Sequence, residues 1–135
     1  MKALDTNVLA RFFVDDPDDE QAAPQRPAAI AALSERAFVP VTVLLEFEWV
    51  LRGFYEFSSA EILRVLKALF GLEHISIEDR GKALAALDAY AEGLDFADAL
   101  HLARSARATG FVTFDRRLAK AAGQKALKPE IELLH

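Results

Sequence analysis

"DFADALHLARSARATGFVTFD", residues 95–115, decides how the rest of the chain is read. Asp95 and Asp98 stand three residues apart at the edge of an apolar run of Ala and Leu, a spacing that puts neighbours on one side of a helix. The helix is expected over Asp95–Ala108, ended by Gly110. Phe111-Val112-Thr113-Phe114 then reads as a strand that ends at Asp115. Helix, glycine, apolar strand and carboxylate in that order are the parts of an α/β unit.

The same alternation extends through the chain. Lys2-Ala3-Leu4 reads as a strand ending in Asp5, followed by helical Val8–Phe13. The run Asp15-Asp16-Pro17-Asp18-Asp19 breaks that helix and supplies a cap for the next. Pro24 and Pro27 interrupt the following segment, so helix is expected from Ala28 to Leu33. Phe38–Val41 is a second strand, with Thr42 as N-cap of a helix through Arg52. Val43, Leu44, Phe47, Val50, Leu51 and Phe54 keep its i, i+3, i+4 spacing. Ser58-Ser59-Ala60-Glu61 has the form of a capping box before a helix that Gly71 stops. His74–Ile77 is a third strand and Glu78–Ala91 a helix. Leu118–Ala122, stopped by Gly123, is a short helix, and Ile131–Leu134 a weak fifth strand. Strands alternating with helices imply α/β architecture with a parallel sheet of about five strands, covered on both faces.

Composition narrows the function. The 135 residues, 53% hydrophobic, suit one domain over residues 1–135 with a real core. No repeat or linker interrupts them. The absence of cysteine removes disulfides, thiolate nucleophiles and Cys-based metal sites, and suits a cytoplasmic location. No stretch approaches the roughly 18 apolar residues of a membrane span, and the first residues do not form a signal peptide. The net charge of −5 means that a nucleic acid partner must be met by a local basic patch or through metal ions.

In open α/β sheets, ligands sit beyond the carboxyl ends of the strands. Asp5 and Asp115 fall at such ends, Asp98 lies in the first turn of the helix before strand four, and Glu46 lies early in the helix after strand two. All four converge if strands one and four are neighbours. Each also has a plain structural reading. Asp5, Asp95 and Asp115 suit helix N-caps, and Asp98 suits the positive end of a helix dipole. Glu46 and Glu48 flank the apolar stripe of their helix on opposite sides, and spacing does not choose between them. The three histidines have no zinc spacing. No GxGxxG, Walker or GxSxG motif is present. The aromatics, ten of them Phe, lie mostly at core spacing and read as core. Arg116-Arg117 suits a solvated helix face or a phosphate contact beside Asp115.

The segments "LDTNVL" (4–9), "VTVLLEFEWVL" (41–51), "DFADALHLA" (95–103) and "FVTFD" (111–115) together resemble a PIN domain, and more closely the VapC-type toxins of bacterial toxin–antitoxin pairs. The resemblance covers essentially the full length. It implies a PIN-like (Rossmann-like) three-layer sandwich with strand order 3-2-1-4-5, which sets strands one and four side by side. It implies an acidic quartet of Asp5, Glu46, Asp98 and Asp115, and prefers Glu46 over Glu48. Thr6, Asn7 and Thr113 match polar supporting positions, and Asp95 a position that is often acidic. Pro24 and Pro27 depart from the family's pattern in the early helical arm.

Clustered carboxylates repel unless a cation neutralises them, and hard oxygen donors select Mg²⁺ or Mn²⁺. Asp5 and Asp98 are the expected direct ligands, with Glu46 and Asp115 binding directly or through water. The resemblance implies a metal-dependent endoribonuclease that leaves a 5′-phosphate and a 3′-hydroxyl, acts as the toxin of a pair, and is neutralised by a small antitoxin. A homodimer is expected, with apolar surface around Glu61–Phe70 available to it or to the core. Two alternatives are a catalytically silent PIN-fold module binding RNA or protein, and a metal phosphohydrolase for small substrates. The latter would want a DxD strand end, where this chain has Asp5-Thr6-Asn7.

Overall fold

Five strands of two or three residues alternate with seven helices in the computed structural model, which describes residues 1–135. The chain divides into two compact units, Met1–Arg80 and Gly81–His135. No helix is long and apolar enough to cross a membrane.

The first unit holds β1 (Lys2–Ala3), α1 (Thr6–Phe13), α2 (Ala22–Leu33), β2 (Ala37–Val39), α3 (Val41–Gly53), α4 (Ser59–Phe70) and β3 (Ile75–Ile77). Its sheet has the order β1-β2-β3, with Lys2 opposite Ala37 and Val39 opposite Ile77, all parallel. Parallel neighbours need long crossovers, and each is made here by a pair of helices. Leu9, Leu33, Val39, Leu44, Phe47 and Leu66 are wholly buried among these elements. Ile62, Leu66, Leu69 and Phe70 of α4 are buried as well. The apolar stripe over Glu61–Phe70 is therefore spent on the core and is not a free surface for a second copy.

Several boundaries differ from the sequence expectation, each for a local reason. α2 starts at Ala22 and runs unbroken through both prolines. Pro24 falls in the first turn, where backbone N–H groups have no partner to lose. Pro27 lies inside and forgoes one bond. The Asp19 carboxylate accepts from Gln21 N and Ala22 N at 2.9 and 3.0 Å, the capping role expected of the acidic run. α3 begins at Val41 with Pro40, not Thr42, at its N-cap. The Val41 N–H donates instead to Oε1 of Glu78 at 2.8 Å, so a side chain that comes after β3 does the capping. The box at Ser58 and Glu61 forms as expected, with both reciprocal bonds present.

The second unit holds most of α5 (Arg80–Ala91), then α6 (Phe96–Arg104), β4 (Phe111–Thr113), α7 (Arg116–Gln124) and β5 (Ile131–Leu133). β4 and β5 are parallel, with Phe111 opposite Ile131 and Thr113 opposite Leu133. Gly93, at φ +102°, reverses the chain between α5 and α6, a conformation open to glycine and strained for others. Tyr90 and Phe96 pack edge to face across that turn at 5.3 Å. α6 ends at Arg104 rather than Ala108, because Leu102 is its last buried residue and positions 103–110 are mostly exposed. α7 passes through Gly123 to Gln124, and the left-handed turn falls on Ala126, at φ 51°. α5 starts two residues later than expected, at Arg80.

The ladders form a three-stranded and a two-stranded sheet, not one sheet of about five strands. The 3-2-1 and 4-5 segments of the expected order are each present, in the three-stranded and the two-stranded sheet. β1 contributes only two residues, and the N–H of the next residue, Leu4, bonds to the Phe38 carbonyl on the β2 side.

Candidate functional site

In the first unit, Leu4 and Asp5 join β1 to α1. The Asp5 carboxylate caps α1, accepting from Thr6 N at 2.8 Å, while its extended backbone breaks the helical path. Helix α1 thus starts at Thr6, not Val8. Thr6 is buried, and its hydroxyl donates to Oε1 of Glu46 on α3. One threonine therefore serves both expected site acids of this unit, its N–H held by Asp5 and its O–H held by Glu46. Glu46 is otherwise exposed. Glu48, only 2% exposed, accepts from Arg52 at 3.1 Å one helical turn on, so the two glutamates have separate employment. Asn7 points elsewhere, lining a groove between α1 and α2 with Arg11 and Gln25.

In the second unit, Asp95, Asp98 and Asp115 line one open pocket of about 490 Å³, together with Arg117 and the apolar Leu94 and Leu118. Asp95 caps α6 by accepting from Asp98 N at 3.1 Å. Asp115 caps α7 by accepting from Leu118 N at 3.1 Å, and its own N–H donates to the Thr113 hydroxyl at 3.0 Å. The capping readings hold for Asp5, Asp95 and Asp115 alike. They do not exhaust these carboxylates, since each cap uses one oxygen and each aspartate has two.

Asp98 caps nothing. Burial pushes its carboxyl above the usual aspartate range, the charges of Asp95 and Asp115 push it further, and His101 one turn on opposes them. The His101 ring is nearly parallel to that of Phe111, with ring centroids 6.4 Å apart. Of the two neighbouring arginines, Arg117 lines the pocket and Arg116 does not.

The donors suit a hard divalent cation in kind: they are carboxylate oxygens, and Asp98 is crowded by like charge that a cation would relieve. Within neither unit, however, do three or more His, Asp or Glu side chains close into a group able to hold a metal ion. The expected quartet is distributed two and two, Asp5 with Glu46 and Asp98 with Asp115.

Phe114 is not among the residues that spacing singles out. It is 70% exposed, directly before Asp115, whereas eight of the ten phenylalanines are buried or half-buried. The strand's alternation carries the signal, because Phe114 shares a face with Val112, itself 55% exposed.

A family model described as PIN domain matches residues 2–124 of the chain. No curated protein and no solved structure matches it.

Proposed function

The chain belongs to the PIN domain family, and from that premise we propose that it is a metal-dependent endoribonuclease. PIN domains are generally nucleases, which fits a hydrolase acting on phosphodiester bonds. The observation that carries the proposal is the pocket in which Asp95, Asp98 and Asp115 gather and the Asp98 carboxyl is destabilised as an anion. A fold with no use for that charge gains nothing by keeping it there.

The acids of both units, Asp5, Glu46, Asp98 and Asp115, are proposed to serve one reaction. Asp5 and Asp98, with Glu46 and Asp115 directly or through water, are the residues proposed to hold Mg²⁺ or Mn²⁺, which would supply charge neutralisation at the phosphate and a more acidic water. Thr6 keeps Glu46 in one orientation, leaving its second oxygen to receive a proton. The Asp115 carboxylate is held at one oxygen by the Leu118 N–H, while its backbone N–H donates to the Thr113 hydroxyl. Water adds to phosphorus in line with the departing O3′, the P–O3′ bond breaks, and the products are a 5′-phosphate and a 3′-hydroxyl that takes up a proton.

The finer biological reading is also ours. The enzyme is proposed to be the toxin of a toxin–antitoxin pair in the cytoplasm, silenced by a small antitoxin that offers a basic side chain to the acidic pocket. A homodimer is part of that reading, with the exposed Trp49 and Phe54 at the end of α3 as apolar surface for a second copy. The test is incubation of the pure protein with defined RNAs, with Mn²⁺ and with excess chelator. Cleavage that needs the metal and is lost in Asp5→Asn and Asp98→Asn supports the proposal. Cleavage that survives chelation removes the metal, and RNA binding without cleavage would leave a silent binding module.

A further inference from the structure

Phe114 has a position that core packing does not explain. It lies between Thr113, the last residue of β4, and Asp115, the N-cap of α7, and leaves 70% of its surface in water. Burial of such a ring is the ordinary outcome, because an aromatic side chain carries a large apolar area. Its neighbours on the other face of the strand, Phe111 and Thr113, are half-buried, so the strand itself is anchored and the exposure belongs to this face. One residue beyond Phe114 stands Asp115 and three beyond stands Arg117, both of which line the pocket that also holds Asp95 and Asp98. Arg117 is the one cation among those lining residues.

Resting on the nuclease reading above, we propose that Phe114 is a stacking platform for an unpaired nucleobase beside the cleaved bond, with Arg117 holding the adjacent phosphate. A π-face and a guanidinium stand three residues apart in the chain, the guanidinium lining the acidic pocket, and match the alternation of base and phosphate along a single strand. Every base offers a face for stacking, so the contact sets strandedness and position more than sequence. Paired bases have their faces covered by their neighbours in the stack, so a duplex cannot use the platform. Arg117 also answers a difficulty of the site, since the carboxylates alone would repel the phosphate they must meet. The competing occupant is an apolar side chain of a protein, including a second copy of this chain. That contact requires apolar area but no ring.

The experiment uses the full chain with Asp98→Asn, which does not cut, and a short single-stranded RNA carrying 2-aminopurine, in Mg²⁺. Binding is expected to quench the 2-aminopurine fluorescence. Phe114→Tyr keeps the quench. Phe114→Ala and Phe114→Leu lose it and bind about 5- to 150-fold more weakly, the range found when a stacking aromatic is truncated. Arg117→Gln weakens binding and flattens its salt dependence, and Arg116→Gln changes neither. The proposal is overturned if Phe114→Ala binds and quenches like its parent, or if Phe114→Leu is as good as Phe114→Tyr. It is likewise overturned if Phe114→Ala alters only the oligomeric state in solution. Cleavage by the otherwise unmutated chain is measured in parallel. If that chain cuts RNA and Phe114→Ala leaves KM unchanged, this inference fails and the nuclease reading stands. If it cuts nothing and the quench still depends on Phe114, the reverse holds.

Discussion

Thr6 donates its hydroxyl proton to Glu46, a residue 40 positions further along the chain, while its backbone N–H is held by the carboxylate of Asp5. The bond joins the start of α1 to the exposed side of α3 and ties two of the expected site acids to one buried threonine. Thr6→Val keeps the shape and removes the donor. Loss of a group that orients a functional carboxylate is expected to lower activity about 10- to 100-fold, with about 1 kcal/mol lost from stability. Thr6→Ser restores the hydroxyl and most of the activity. Steady-state cleavage rates and urea denaturation check both parts, and an unimpaired Thr6→Val enzyme would show that Glu46 needs no such holding.

Asp98 sets the second prediction, and its sign comes from linkage. A carboxyl raised above its unfolded value binds protons more tightly in the folded state, so stability falls as pH rises from the ordinary aspartate range through the folded value. The effect is small, because the group is partly solvated. Asp98→Asn is expected to abolish cleavage, to leave the protein folded, and to flatten this part of the stability–pH curve when divalent ions are chelated. Thermal denaturation across acid to neutral pH reads it. A steeper curve in the variant would contradict the assignment of the shift to Asp98.

The capping box at Ser58 gives the opposite sign. The Ser58 N–H, and then the Ser58 side chain, hold the Glu61 carboxyl below the usual glutamate range. Its contribution is therefore present above that range and is lost as pH falls through the folded value. Ser58→Ala is expected to cost about 1 kcal/mol at neutral pH and proportionately less in acid, where Glu61 is protonated. Denaturant titrations at the two pH values test this, and equal losses at both would show that the two halves of the box act independently.

Pro27 is the sixth residue of α2 and has no N–H to give to the carbonyl one turn back. Pro27→Ala restores that bond and relieves the ring's clash with the preceding turn. The gain is set against a looser unfolded chain, and a net stabilisation of about 1 kcal/mol or more is expected. Calorimetry would detect it as a higher Tm. Destabilisation would mean that the proline ring supplies packing the helix depends on.

Much of the fold was legible because its signals are local. Caps reach two or three residues, so the caps at Ser58, Asp95 and Asp115 could be found by spacing. Amphipathic periods gave α3 and α4 their approximate spans. Boundaries were lost where a distant group intervened. Glu78 supplied the cap that Thr42 was expected to give, and the end of buried contacts after Leu102 closed α6 before Gly110 was reached.

The sequence by itself determined the alternation of helix and strand, the placing of carboxylates at strand ends and helix starts, and membership of the PIN domain family. Tertiary structure alone decided that Glu46 faces Thr6 while Glu48 is buried, that Arg117 and not Arg116 lines the acidic pocket, and that Phe114 stays in water. The reason is one of range. Backbone geometry and capping depend on a few successive residues, whereas the side of a helix that meets the core depends on every element packed against it.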